Sequence, residues 1–158
     1  MDSHLNYTAS KIGMTLAKIR PVLEFVTQEQ RKRIINSKVK SIALYGLPLI
    51  IGQPQSIVQR ACAIIMRTNR AMLNNTEGLR STEAICHKLN IDEPRQDIVK
   101  TSFKFIHSII DSKQPKQITD MMVIPKRKTS KIYMRSGNTS KSPIHSAVDL
   151  FNAIPPDF

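Results

Sequence analysis

The sequence predicts an all-α protein: a bundle of about five to six helices, then a basic, loosely ordered segment and a short terminal helix. Apolar residues recur every three or four positions over most of the chain, which is the period of a helix buried on one face. Glycine is scarce, with five in 158 residues, and most of the nine prolines lie between apolar segments. A β-rich chain of this length needs more turn residues than that.

The first helix is predicted from a single apolar stripe that begins at Leu5 and ends at Leu23. Pro21 predicts a stop or kink at about Arg20, because proline removes a backbone donor and crowds the preceding turn. Thr27 and Gln30 have the spacing of a capping box and open the second helix. That helix has Ile35, Val39 and Ile42 on one side.

The second helix is predicted to end in the run from Tyr45 to Pro48. We expect Tyr45, Leu47 and Leu49 to lie in the core, with Gly46 and Pro48 shaping the bend, since the run is too apolar for a surface loop. Further helices are predicted from Pro54 to about Met72, from Ser81, and from Glu93-Pro94, the last with the apolar positions Ile98, Val99, Phe103, Phe105, Ile106, Ile109 and Ile110. Pro115 separates a short piece that ends at Met121-Met122.

The predicted organisation is a helical domain over 1–122, a basic linker over 123–142 and a short terminal helix or tail over 143–158. The linker holds six Lys or Arg residues and no acid, together with many Ser and Thr residues. Such a composition favours an extended or loosely ordered segment.

The net charge of +12, from 24 Lys and Arg against 12 Asp and Glu, is larger than solubility requires and attracts polyanions. No acid occurs between Glu29 and Glu77, whereas a surface helix held by ion pairs would interleave Glu with Lys. We therefore predict that the basic residues of these two helices and of the linker bind nucleic-acid phosphates, with the two helical sets bordering one groove. They are Arg31, Lys32, Arg33, Lys38 and Lys40 on the first helix of the pair, Arg60, Arg67 and Arg70 on the second, and Lys126, Arg127, Lys128, Lys131 and Arg135 in the linker.

Other interpretations of the charge remain open. A run of cations is often a solvated face, and a helical module of this charge also suits an acidic protein partner. The segment from Ser81 to Ile91 is compatible with the opening of a helix-turn-helix that binds DNA. Aromatic residues are few, and only Tyr133 lies among basic residues, so we expect contacts to a duplex backbone rather than stacking on single strands.

Nothing in the sequence predicts a catalytic site, a metal site, a cofactor or a small-molecule substrate. The two cysteines, Cys62 and Cys86, are not a C-x-x-C pair, and the four histidines lack the spacing of metal ligands. No phosphate-binding glycine loop, nucleophile elbow or carboxylate pair is present. Reduced cysteines and a polar start, Met1 to Asn6, predict a cytoplasmic or nuclear protein with no membrane partner.

The order of segments resembles the region that follows the catalytic palm in reverse transcriptases of non-LTR (LINE-like, jockey-like) retrotransposons. The run Ser41–Leu49 is similar to the "Y-G-x-P" segment of that family, and Gln59-Arg60 follows in the expected place. Three later motifs of the family also have counterparts here. The "EAL…LGI" motif corresponds to Glu83-Ala84-Ile85 with Leu89-Asn90-Ile91, and "IH…P" corresponds to Ile106-His107 with Pro115. The closing "(W/F)-N-x-(L/I)-P" motif corresponds to Phe151-Asn152-Ala153-Ile154-Pro155.

The resemblance implies a thumb-like helical domain that grips a template–primer duplex, either RNA–DNA or RNA. It also implies a second partner, the palm domain of the same element. The family's polymerase site uses an Asp-Asp motif, and this chain has no Asp-Asp pair. The resemblance therefore implies a fragment or degenerate copy that binds nucleic acid and is not an enzyme by itself.

Overall fold

The computed structural model describes residues 2–50, 52–73, 78, 80–123, 131–134 and 143–153. Over these residues the predicted all-α class is confirmed. The α-helices are α1 (Asp2–Leu23), α2 (Gln28–Ile35), α3 (Ser41–Leu44), α4 (Gln55–Arg70), α5 (Thr82–Leu89), α6 (Pro94–Ser112), α7 (Lys116–Thr119) and α8 (Pro143–Ala153). A π-helical turn (Asn36–Lys40), a 3-10 turn (Leu47–Leu49) and two antiparallel strands, β1 (Met122–Val123) and β2 (Tyr133–Met134), complete the described elements.

The chain divides into two compact units. The first unit comprises Met1–Gly46 and Pro54–Asp97, and the second comprises Leu47–Gln53 and Ile98–Phe158. The predicted boundary lay at residue 122. Residues 98–122 instead belong with the C-terminal helix, because Ile106 and Ile109 of α6 share a core with Ala147 and Val148 of α8.

The core of the first unit is aliphatic and draws on five helices. It consists of Ile12, Leu23, Ile35, Val39, Ala43, Met66, Met72, Leu73, Ile85, Cys86 and Leu89. The helix starts follow the predicted chemistry. Thr27 and Gln30 form the capping box at α2, the Ser81 hydroxyl accepts from the Ala84 amide at α5, and Asn90 ends α5 in the left-handed conformation.

Of the stop or kink predicted near Arg20, the stop does not occur, because α1 continues to Leu23 with Pro21 inside it. Pro21 lies in the last turn, where it removes one helical hydrogen bond, the one to the Ala17 carbonyl. The remaining residues of that turn bring Leu23 into the core, where it is buried. Burial of this leucine favours keeping the final turn helical.

The second predicted helix is continuous from α2 to α3 but contains the π turn over Asn36–Lys40. A wider turn changes which side chains face inward. Ile35, Val39 and Ala43 are buried, whereas Ile42, the predicted third position, is only partly buried. A π turn acts like one residue inserted into an α-helix, so the side chains that follow it are rotated relative to those before it.

Tyr45 is 75% exposed, so its predicted place in the core is wrong. The helix ends at Leu44 and Tyr45 has extended backbone angles, which take its side chain off the buried stripe of the helix. The predicted role of Gly46 holds: its φ is +80°, and a Cβ there would lie 2.6 Å from His4 Nε2. Leu47 is buried as predicted; the side chain of Leu49 lies outside the described part of the structure.

The second unit has its own small core of Ile106, Ile109, Met122, Ile132, Ala147 and Val148. The Asn152 amide accepts from the Ile132 amide at 2.9 Å and donates to its carbonyl at 2.7 Å, which holds this segment against α8. Phe103 and Phe151 stack with ring centroids 4.9 Å apart. Val99 is exposed, not inward as predicted, and part of the predicted linker, Val123 and Tyr133–Met134, is strand.

Candidate nucleic-acid interface

The predicted phosphate-binding residues fall into three groups. Eight of them lie in the first unit, on α2, the π turn and α4. Lys131 lies just before β2 in the second unit and is exposed. Lys126, Arg127, Lys128 and Arg135 lie outside the described residues.

Arg31 is partly buried and joins the end of α1 to the segment that follows α4. Its Nη1 donates to the Leu73 carbonyl at 3.1 Å, and its Nη2 donates to the carbonyl of Leu23, the last residue of α1. Its Nε is buried without a partner in the described part of the chain. Carbonyls at helix C-termini have no partner within the helix, so a cation there satisfies them and opposes the helix dipole. The guanidinium is thereby fixed in place.

Lys32 and Lys40 also have partners inside the first unit. The Lys32 ammonium donates to the carbonyl of Leu89, at the end of α5. The Lys40 ammonium lies 3.0 Å from an Asp97 carboxylate oxygen, and the two side chains are only 15% and 12% exposed. Both residues therefore contribute to the packing of the unit. The Lys32 ammonium keeps two further N–H donors and its full charge, whereas the charge of Lys40 is balanced by the Asp97 carboxylate.

The remaining cations of the first unit are exposed. Arg60 forms an ion pair with Asp2 and donates to the Asn6 side chain at 2.7 Å. Arg70 Nη2 is 3.5 Å from the Arg80 carbonyl. Arg33 and Lys38 lie on the solvent side of α2 and the π turn.

One groove in the first unit collects three guanidinium groups; we call it the arginine groove. It has a volume of about 680 Å³. The groove lies between α1, the start of α2 and the end of α4. Its lining consists of Gly13, Leu16, Ala17, Arg20, Leu23, Glu24, Arg31, Arg67, Ala71 and Leu73.

Arg67 reaches across to α1 because position 13 has no side chain. A Cβ added to Gly13 would be 3.3 Å from Nη2 of Arg67. The guanidinium thus lies directly against the α1 backbone. Glycine weakens a helix, and here its position leaves space for a cation at the groove wall.

Arg20 belongs to the groove but was not among the predicted site residues. It lies in the last turn of α1, just before Pro21 and outside the acid-free window on which the prediction depended. The sequence does contain a signal for Arg20. It lies seven residues after Gly13, and positions seven residues apart lie on nearly the same side of a helix.

The electrostatics of the groove favour an anion. In the part of the chain that the structure describes, Arg20 and Arg67 make no ion pair, and Glu24 is the one carboxylate in the lining. Guanidinium groups bind phosphate oxygens through paired N–H donors. The lining has no aromatic residue, so it offers no surface on which a base could stack.

A second cleft of the first unit, about 370 Å³, contains Cys62, Arg70, Glu93 and Arg95. Burial raises the pKa of the Cys62 thiol, an effect that Arg95 partly opposes. Burial also raises the pKa of Cys86, with a further increase from Glu93 and Asp97. Both sulfurs are therefore protonated thiols at neutral pH, which makes them poor nucleophiles.

The described residues contain no group of three or more His, Cys, Asp or Glu side chains placed to hold a metal ion. None of their helices combines the length and hydrophobicity needed to cross a bilayer. Comparison of the chain with protein-family models, with curated proteins and with solved structures gave no match.

Proposed function

We propose that the chain binds nucleic acid through the phosphate backbone of an RNA–DNA or RNA duplex, and that the arginine groove is the main contact. The observation that carries the proposal is the meeting of Arg20, Arg31 and Arg67 in one groove of a strongly basic chain. Phosphate contacts from Arg and Lys supply affinity that does not depend on base sequence.

The form of the groove supports backbone binding. Arg31 is held rigidly by two carbonyls, so little conformational entropy is lost when it binds an oxygen. The partly buried side chain of Leu16 provides an apolar surface for the sugar carbons between phosphates.

The resemblance to the thumb region of non-LTR retrotransposon reverse transcriptases agrees with this function. Under this proposal the chain grips a template–primer duplex and depends on a separate palm domain for polymerisation. The sequence has no Asp-Asp pair for the two metal ions of a polymerase, so we propose that the chain has no polymerase activity of its own.

The test replaces the two exposed arginines of the groove and leaves Arg31 in place, because loss of Arg31 would remove its bonds to the end of α1 and to the segment after α4. We expect the double variant Arg20→Gln/Arg67→Gln to bind a labelled RNA–DNA duplex more weakly at every salt concentration. The slope of log K against log salt should flatten by up to about two units, since about 0.9 counterion is released for each phosphate contact on a duplex. Fluorescence anisotropy over a series of KCl concentrations measures both quantities.

The matched control is Lys113→Gln/Lys116→Gln, which removes the same charge from the second unit. A second arm is Glu24→Gln, which should strengthen binding because it removes the carboxylate from the groove, while Asp120→Asn should have a smaller effect. Equal losses for the two double variants would mean that only bulk charge matters. In that case, or if the parent chain does not bind at low salt, the groove is not a nucleic-acid site.

A further inference from the structure

The outer side of α1 exposes large apolar side chains although the opposite face of the same helix is already in the core. Buried Leu5, Ile12 and Leu23 point inward. On the outer side Tyr7 is 61% and Met14 is 57% exposed, and Phe25, just after the helix, is 89% exposed. Exposed large apolar side chains concentrated on one element indicate a contact surface rather than scattered surface residues.

The exposed residues have the spacing of a helix-packing seam. Tyr7, Ser10, Met14, Ala17 and Pro21 follow one another at intervals of three and four, and all five are exposed; we call them the α1 seam. Large and small side chains alternate along the seam, so Tyr7 and Met14 act as knobs while Ser10 and Ala17 leave room for side chains of an opposing helix. This is the a/d pattern by which two helices pack together.

The flanks of the α1 seam are positive. Lys11 and Lys18 each lie one residue beyond a small seam position, and the Lys11 ammonium lies 5.7 Å from the centre of the Tyr7 ring. No acidic residue occurs between Asp2 and Glu24. Charges at such flanking positions select the partner of a helix by attraction or repulsion.

We propose that the α1 seam docks an amphipathic helix of a partner protein, with apolar residues facing the seam and Glu or Asp residues opposite Lys11 and Lys18. A second copy of this chain does not fit, because pairing two seams would bring lysines against lysines or offer them no acid. The seam is also a narrow stripe that contains the polar Ser10, unlike the broad apolar face of a helix that lies in a membrane surface. The seam shares Ala17 with the arginine groove, but its two large side chains, Tyr7 and Met14, lie outside the groove lining, so the inference does not rest on the nucleic-acid proposal.

The test uses the full chain and a labelled synthetic peptide of about four heptads, with Leu at the a and d positions and Glu at e and g. We expect saturable binding of this peptide and much weaker binding of the same peptide with Lys in place of Glu. The variant Tyr7→Ser/Met14→Ser should weaken binding at least about tenfold. Lys11→Gln/Lys18→Gln should weaken it as well and reduce its dependence on salt.

The matched control is Tyr45→Ser/Met121→Ser, which removes one exposed tyrosine and one exposed methionine outside the α1 seam and should bind like the parent. The Tyr45 ring lies beside His4 of α1, which is not a seam residue. Circular dichroism verifies that each variant remains folded, which is expected because every replaced side chain is exposed. The affinity of the variant Tyr7→Ser/Met14→Ser for duplex should equal that of the parent. A failure of the helix-docking proposal can therefore be distinguished from a failure of the nucleic-acid proposal.

Three results would overturn the proposal. One is equal binding of the Glu and Lys peptides, or no binding of either. Another is a dimer in sedimentation equilibrium that Tyr7→Ser/Met14→Ser abolishes, which would assign the seam to a second copy. The third is seam-dependent binding to phosphatidylserine vesicles in the absence of peptide binding, which would assign it to a lipid surface.

Discussion

Gly13 is a weak point in α1 as a helix and an open space for Arg67. The substitution Gly13→Ala should raise helix stability by roughly 1 kcal/mol, because alanine has far less backbone freedom to lose. The new Cβ would be 3.3 Å from Nη2 of Arg67, and the end of a flexible side chain can shift by a few tenths of an ångström. We therefore expect thermal unfolding a few degrees higher and weaker binding to duplex.

The control for this prediction is Gly13→Ala in an Arg67→Gln background, where the alanine should stabilise the chain without further effect on binding. A fall in Tm for the single variant would show that Arg67 cannot move and that the contact is strained. Unchanged duplex affinity would show that the position of Arg67 in the groove is unimportant for binding.

We expect the protein to lose stability in alkali because of the buried thiol of Cys86. Its pKa is raised in the folded protein by burial and by the carboxylates of Glu93 and Asp97. Below the unfolded-state pKa of about 8.5, both states keep the thiol proton. Above it, the unfolded chain releases a proton that the folded chain retains, so the free energy of unfolding falls as pH rises toward the folded-state pKa. Urea denaturation from about pH 7 to 10 measures this decrease.

The variant Cys86→Ala provides the comparison for the pH series. Its stability at neutral pH will be lower because a buried side chain is truncated, but its decline with pH should be shallower than that of the parent. Parallel curves would contradict the prediction and assign the alkaline loss to other groups, such as the lysines and tyrosines.

At the level of residues, the acid-free window contains Arg31 and Arg67, and both line the arginine groove. It could not separate free cations from those with partners. Arg31 and Lys32 bind carbonyls that are 42 and 57 positions away, and a pattern of charges along the chain contains no information about such contacts. Arg20 was missed for the same reason, because only the fold brings the end of α1 beside α4.

At the level of elements, local signals were the most reliable. The capping box at Thr27, the Ser81 cap and the prolines at positions 54 and 94 placed the helix starts, because each acts through neighbouring backbone groups. The π turn and the last turn of α1 were not predictable in this way. Both depend on which side chains the core accepts, and that is set by distant helices.

The pair formed by Lys40 and Asp97 joins the π turn to the start of α6, and it predicts a large asymmetry between single and double substitutions. Asp97→Asn should cost about 3 kcal/mol, since it leaves a mostly buried ammonium without its counterion. Replacing both residues, as in Lys40→Met/Asp97→Leu, should cost clearly less, because no unpaired charge remains. Urea denaturation of the two single variants and the double variant gives the coupling energy.

The exposed pair of Arg60 and Asp2 is the natural reference, with side chains 47% and 62% exposed. Asp2→Asn should change stability by no more than about 1 kcal/mol, because solvent screens the interaction. Similar costs for Asp97→Asn and Asp2→Asn would mean that water reaches Lys40 freely.

At the scale of the whole molecule, composition predicted the class of fold and the sign of the charge but not the organisation. The linear boundary at residue 122 came from a change in composition. Composition changes along the chain, whereas units are defined by contacts. The short stretch Leu47–Gln53 lies in sequence between two parts of the first unit and yet belongs to the second.

The connection through Leu47–Gln53 has a practical consequence for dissecting the protein. The polypeptide passes between the units after Gly46, Gln53 and Asp97, so the units are interleaved in sequence and no single cut separates them. A chain shortened to end at Asp97 would keep Leu47 and Ile50, both nearly fully buried, but would lose α8, which packs against their turn. Two uncovered aliphatic side chains would then promote aggregation of that fragment. Isolating the first unit requires replacing residues 47–53 with a short polar loop that connects Gly46 to Pro54.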